Sequence, residues 1–452
     1  MSKNKTLEAL KRSLQDDLQS IQDREKKELN EEQKKELKDV IEKIFEQALL
    51  DKDKPKDILD TVLEDKAEFL KIFNPWQNTE GQKLIQKFVN TINNPDSNKD
   101  FSWLEILDGD EQWQKEDNQE TKNEINDKTK HVNMRYQIPT HFHGDIDNAV
   151  LFYCMENPRG YIGDSDMDTW AEKQMFGKQT IDDYYKYTAE LRDETWKNET
   201  SQKIIKERYK LNDVTTDLIE KIIYSDAKED SPLTRELKTM FKKFKTPDYK
   251  IYNFRKGSPD LKDFYYFKNY YKQLLLKDSN LKPFQQVENQ NKGIEIANKI
   301  CNVEIYPFSS SDPYLNGGIG TKIHLNSDLS RLGAYIILRR IYGYLNSPKE
   351  NPKPIIVLRK YDRGWEKLFN KILEEVKQTE QSFDKELVLG LLEKGFFYCQ
   401  TGQQGGGITS GNVISVPDFK ALKKIYEILK ETAFTEIFDL ITKSDTEQEL
   451  KD

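Results

Sequence analysis

The stretch Ala149-Val150-Leu151-Phe152-Tyr153-Cys154-Met155-Glu156-Asn157-Pro158-Arg159-Gly160-Tyr161 decides how the chain is read. Its uncharged run up to Met155 predicts a buried strand, and Asn157-Pro158 with Gly160 stops that strand and turns the chain. Polar groups are thereby fixed at a strand's carboxyl end. In open α/β sheets the loops at those ends converge on a crevice where ligands bind. Taken alone, the stretch reads as an ordinary strand running into a turn, so the rest of the chain has to decide.

Three further segments have the same form. Residues 300–308 are strand-like and run into Ser309-Ser310-Ser311-Asp312-Pro313; residues 354–359 end in Arg359 and Lys360; residues 395–400 run into the glycine-rich loop 401–412. Helical patterns at 329–344, 365–376 and 419–434 separate or follow them. Strands alternating with helices predict a mostly parallel four-stranded sheet flanked by helices, an α/β fold. Its carboxyl edge would collect Glu156, Asn157 and Arg159, then Ser310, then Arg359 and Lys360, then the loop with Gly406, Ser410 and Asn412. Glycines there let backbone amides approach a phosphate. The loop lacks the Gly-Lys-Ser/Thr of a nucleotide-hydrolysing phosphate loop, and it does not follow the first strand as a dinucleotide fingerprint would.

The bulk properties bound the rest. A chain of 452 residues has room for two or three domains. The net charge of −8 is uneven: residues 1–130 hold 23 basic and 31 acidic side chains, and 23 − 31 = −8, so the remainder is neutral. Helical periodicity covers 6–50, 57–73 and 81–92, with 23–38 so charged that it reads as a solvated helix or a coiled-coil-like arm. A polar stretch at 108–130 places a boundary near 130, dividing an acidic all-α N-terminal domain (1–130) from an α/β domain (131–452) with a helical insertion at about 170–250. The N-terminal helices would serve a protein partner or self-association.

Cys154, Cys301 and Cys399 lie in apolar runs and read as small buried hydrophobes, too few for a disulfide framework or a four-cysteine metal site. His141 and His143 share a loop, with only His131 and His324 besides, and the acids Asp164, Asp166 and Asp168 lack the glycine and distal glutamate of a calcium loop; no metal and no cofactor is expected. The first 29 residues lack an apolar core, and no apolar run of about 18 residues exists, so neither a secretory signal nor a membrane span is expected and the location is cytoplasmic.

Two features bear on nucleic acid. The run Phe264-Tyr265-Tyr266-Phe267-Lys268-Asn269-Tyr270-Tyr271-Lys272 interleaves aromatics with lysine, as a base-stacking surface does, although an aromatic helix packed on the sheet is the favoured reading. Arg331, Arg339, Arg340, Lys349, Lys353, Arg359, Lys360, Arg363, Lys367 and Lys371 form a basic strip suited to a phosphodiester backbone, or else scattered surface charge.

The segment Met155-Glu156-Asn157-Pro158-Arg159-Gly160-Tyr161 resembles the first motif of the uracil-DNA glycosylase superfamily, near the Asn-Pro-Gly form of its mismatch-specific branch and bacterial relatives. The resemblance extends over residues 135–435 in the order of elements: the aromatic helix, residues 303–310, residues 355–359 with Trp365, and the last loop and helix. It implies hydrolysis of an N-glycosidic bond in DNA, with Asn157 orienting the attacking water, Glu156 assisting it and Pro158 shaping the turn. Tyr161 or Phe308 would stack on an extruded base. The iron–sulfur branches are excluded by the cysteine count, and loop 401–412 carries neither His-Pro-Ser nor Asn-Pro-Ser, leaving Ser410 or Asn412 at that place. The expected function is a DNA glycosylase-like protein acting on or recognising an altered base, in DNA repair or in defence against phage DNA. A non-catalytic nucleic-acid or nucleotide sensor with a helical partner-binding arm is the alternative.

Overall fold

The computed structural model describes residues 28–93, 142–156, 215–217, 230–243, 264, 266–275, 287–306, 321, 324–400, 406–409 and 412–425. Within them a six-stranded sheet forms the centre. Its strands are β1 (Phe142–His143), β2 (Leu151–Met155), β3 (Ile300–Glu304), β4 (Ile355–Leu358), β5 (Phe397–Gln400) and β6 (Val413–Ser415). The spatial order is β1-β3-β2-β4-β5-β6; the inner four are parallel and the two edge strands antiparallel. The four expected strands are therefore the parallel centre. The edges are additions: β1 lies in what reads as a loop, and β6 directly follows the glycine-rich loop.

Side-chain alternation divides the sheet into two apolar faces. Phe152, Cys154, Cys301, Val303, Ile356, Leu358, Phe397 and Cys399 belong to one core. Tyr153, Met155, Ile300 and Val357 belong to the other. The three cysteines are buried free thiols, as expected. Helices α1 (Glu31–Leu50), α2 (Leu59–Glu64), α3 (Lys66–Phe73) and α4 (Gly81–Asn93) precede the sheet; α5 (Pro232–Lys243) and α6 (Val287–Asn298) lie in the β2–β3 connection; α7 (Asp328–Asn346), α8 (Glu366–Thr379) and α9 (Lys385–Gly395) link the later strands. Residues 416–425 are helical beyond β6.

The first core runs without interruption from the sheet through α7, α8 and α9 into α1–α4. In α1 the buried residues Leu37, Ile41, Ile44, Phe45, Ala48 and Leu49 recur every three or four positions, one stripe of an amphipathic helix. Asn30 and Gln33 close a capping box at its start. Phe45 and Phe73 then meet Tyr335 of α7 at ring-centroid distances of 5.6 and 5.0 Å. The helix expected over 57–73 is broken at Asp65, whose carboxylate accepts the Ala67 and Glu68 amides and restarts the chain as α3. So the apolar stripe of α1 is buried against the sheet-covering helices of the same chain. The boundary near residue 130 falls outside the described residues, as do 6–27.

Arg339 of α7 joins these parts. Its guanidinium donates to the Val62 carbonyl at 3.1 Å and the Glu64 carbonyl at 3.0 Å at the end of α2, pairs with Asp147 ahead of β2, and lies 5.1 Å from the Phe69 ring centroid. Arg340 donates to the Ala149 and Pro352 carbonyls at 3.1 and 2.6 Å, and Arg331 grips Glu375 with two bonds of 2.7 Å. These three arginines are buried. The expected basic strip is thereby corrected: three of its members face inward and satisfy carbonyls and carboxylates, so they cannot reach a phosphodiester backbone.

The other face is covered by α5, α6 and the aromatic run. Phe264, Phe267, Tyr270 and Tyr271 are buried against it, so the run packs on the sheet as favoured from the sequence. It folds as a π-helical turn, Phe267–Tyr271, continuing into Lys272–Leu275. No described helix is long and apolar enough to cross a membrane.

Candidate functional site at the carboxyl edge of the sheet

The ladders continue one residue past the strands and fix the edge. Arg359 donates its amide to the Cys154 carbonyl at 2.9 Å, and Tyr306 donates its amide to the Glu156 carbonyl at 2.9 Å. Glu156 at the end of β2 is thus held between β3 and β4. Its Oε1 lies 3.3 Å from Arg359 Nη2, and its Oε2 lies 4.0 Å from Lys360 Nζ. Lys360 sits in the left-handed region at φ 49°, which costs a side-chain-bearing residue about 1–2 kcal/mol. A π-helical turn, Tyr361–Trp365, follows at once. Strain and π turns cluster where chemistry or binding needs them, and here both flank one crevice, since the other π turn supplies Tyr270.

The glycine-rich loop closes the crevice from the β5 side. The Tyr153 hydroxyl donates to the Gly406 carbonyl, and Gln400 Nε2 donates to the Tyr153 oxygen at 3.1 Å and to the Gly406 and Gly407 carbonyls at 2.9 and 3.2 Å. Asn412 Nδ2 donates to the Gly407 carbonyl at 2.9 Å, and the Ile408 amide donates to the Tyr270 carbonyl at 2.8 Å. Burial pushes the Tyr153 phenol up, so it keeps its proton and acts as a donor. A Cβ on Gly406 would stand 2.5 Å from Tyr270 Cε1 and 2.8 Å from Arg359 Nη1. Only glycine permits that approach.

Inside the crevice the chain places unusual polar groups. Glu304, at the end of β3, is 2 % exposed, and its Oε2 is buried without a hydrogen-bond partner. Burial pushes its carboxyl well above the ordinary value of 4.5, against the pull of Arg359 and with the help of Glu156. Burial thus favours the protonated form of Glu304. Asn302, two residues earlier on the same face, donates to the Tyr271 hydroxyl at 2.8 Å. Burial works against the charge on Arg359, yet the oxygens of Tyr153 and then Glu156 hold it above the ordinary value. Arg359 and Lys360 thus face the single Glu156 carboxylate, beside a Glu304 whose burial favours its protonated form, an arrangement that suits an anion.

Of the residues singled out from sequence, Glu156, Arg359, Lys360 and Gly406 come together here, and Asn412 anchors the loop. Asn157, Pro158, Arg159, Tyr161, Phe308, Ser310 and Ser410 lie outside the described residues, as does His141. Tyr153, Tyr270, Glu304 and Gln400 were not singled out as site residues. A signal existed for Asn302 and Glu304, since polar residues alternating inside an otherwise apolar strand must serve something on one face. Among the described residues no group of three or more His, Cys, Asp and Glu is placed to hold a metal ion.

The neutral state of Glu304 has a pH signature. The unfolded chain ionises this carboxyl from about pH 4.5 while the folded chain keeps its proton, so stability falls with rising pH above that point by about 1.4 kcal/mol per unit. His143 acts oppositely: burial and then the Arg235 charge lower it from 6.5 to about 3, so stability is lost as pH falls through that window. Between 4.5 and 6.5 the two slopes oppose each other. Glu304→Gln should uncover the His143 slope, its stability relative to wild type climbing with pH in urea denaturation. A difference that stays constant across the window refutes a neutral Glu304.

No protein-family model, no curated protein and no solved structure matches the chain.

Proposed function

We propose that the carboxyl-edge crevice binds a nucleotide unit of DNA, and that the protein is DNA glycosylase-like, acting on or recognising an altered base. The observation that carries this reading is the meeting of Glu156, Arg359, Lys360 and the Gly406 backbone at the ends of β2, β4 and β5. Cations and a close-approaching glycine suit a phosphate, and a carboxylate beside it suits the positive charge that develops on a sugar as its base departs. Asn157, adjacent to Glu156, is the residue that the superfamily resemblance assigns to the attacking water. A task in repair or in defence against phage DNA belongs to the same proposal.

The test is base release from oligonucleotides carrying uracil or phage-type modified bases. Release by the wild type, reduced about 10²–10³-fold in Asn157→Ala, is the expected result. One observation favours the non-catalytic sensor as the second reading: Glu156 Oε1 faces the Arg359 guanidinium at 3.3 Å, so the carboxylate is turned to a cation rather than to a water. No release from any substrate, with DNA binding that weakens steeply in salt, would transfer the site to that reading.

A further inference from the structure

The same chain offers two arginine–glutamate pairs whose comparison is informative. Arg331 and Glu375 close the full bidentate fork, with both bonds at 2.7 Å. Arg359 and Glu156 do not: one approach of 3.3 Å is made, and Glu156 Oε1 accepts no hydrogen bond although it is buried. Charge-assisted bonds normally close to about 2.7–2.9 Å, so beyond its contact with the Tyr153 hydroxyl the Arg359 guanidinium keeps donors for a further acceptor. Lys360 stands 4.0 Å from the other oxygen of the same carboxylate, again outside hydrogen-bond range. Glu304, fully buried nearby, keeps one oxygen without a hydrogen-bond partner. The fork cannot swing away, because the Gly406 backbone and the Tyr270 ring, whose centroid lies 5.9 Å from the guanidinium carbon, hem it in.

We infer that Glu156 is a placeholder on Arg359, and that the phosphate group of a nucleotide ligand displaces it to take the guanidinium fork together with Lys360. Occupancy of the phosphate site therefore also releases the Glu156 side chain from its ion pair. The inference rests on the proposed nucleotide-binding role of the crevice, but it concerns the order of pairing rather than base release.

Its signature is a change of sign. Binding of a deoxynucleoside 5′-monophosphate, and of a short oligonucleotide without terminal phosphates, is measured by calorimetry and fluorescence anisotropy, with the unphosphorylated nucleoside as reference. Glu156→Gln removes the competitor and should tighten phosphate binding about threefold or more, whereas Arg359→Ala should weaken it about tenfold or more. Preference for the monophosphate identifies a terminal monoester, and preference for the oligonucleotide identifies an internal diester. Lys360→Ala, at a half-exposed side chain, should weaken binding without touching the ion pair. In the unaltered protein, the arginine side-chain NMR signal of Arg359 should shift on adding the monophosphate. Equal or weaker binding by folded Glu156→Gln, equal affinity for nucleoside and nucleotide, or an unmoved Arg359 signal overturns the inference. Base release with no tightening in Glu156→Gln sinks the exchange and leaves the glycosylase reading standing; tightening without base release does the reverse.

Discussion

Arg339→Met should destabilise the protein by about 3–5 kcal/mol in urea denaturation. The thioether fills much of the space but donates nothing, so the Val62 and Glu64 carbonyls each lose a partner, at about 1–3 kcal/mol apiece. Asp147 loses its ion-pair partner as well, although a third of that side chain reaches water and softens the loss. The contact with the Phe69 ring goes too. Arg339→Lys restores a charge but not the fork and should recover only part. Because the side chain joins α2, α7 and the approach to β2, amide exchange should quicken together in α2, α3 and the sheet. A cost below about 1 kcal/mol, or exchange that quickens in α2 and α3 alone, would mean that the N-terminal helices are only loosely attached.

Gly406→Ala should abolish most ligand binding while sparing the fold. The added Cβ would lie 2.5 Å from the Tyr270 ring and 2.8 Å from Arg359 Nη1, closer than real contacts permit. The loop must lift, which breaks the Tyr153 and Gln400 bonds to its carbonyls and frees Arg359 to leave its orientation. Overpacking of this kind costs about 1–3 kcal/mol, and if it falls on the bound state, nucleotide or oligonucleotide affinity drops roughly 5- to 150-fold. Gly406 is half-buried in a loop outside the strands and helices, so the melting temperature should move by only a few degrees. Unchanged affinity would remove the loop from the site.

The inner sheet was legible because each central strand carries its own signal: an uncharged run bounded by turn residues, as at 149–155 and 354–358. β1 and β6 were not, since Phe142–His143 and Val413–Ser415 are too short to show a period and exist through pairing with β3 and β5. Helix α9, Lys385–Gly395, is not legible either: it follows α8 after a short turn and is marked at its start only by the Asp384 cap. The N-terminal helices were recognised as helices, but their destination was not. An amphipathic stripe such as Leu37, Ile41 and Phe45 states that a face is buried and is silent about what buries it. The same limit governed the arginines of α7: sequence counts a charge, and only the fold decides whether it meets water or a carbonyl. At the site, Glu156, Arg359 and Lys360 were readable from their strand-end positions, whereas the pairing of a neutral Glu304 with them depends on the register that sets Met155 beside it.

The shared core of α1–α4 and α7 also sets a schedule for synthesis. Phe45, Phe69 and Phe73 leave the ribosome early, but Tyr335 and Arg339, which cover them, follow only after the chain from 94 to 327 has been made. At about 5–20 residues per second that interval is roughly 10–50 s. During it the emerging helices carry an uncovered aromatic stripe, a natural target for chaperones that hold apolar segments. Nascent chains stopped before residue 328 should therefore be captured by such a chaperone, and chains extended past 346 released from it.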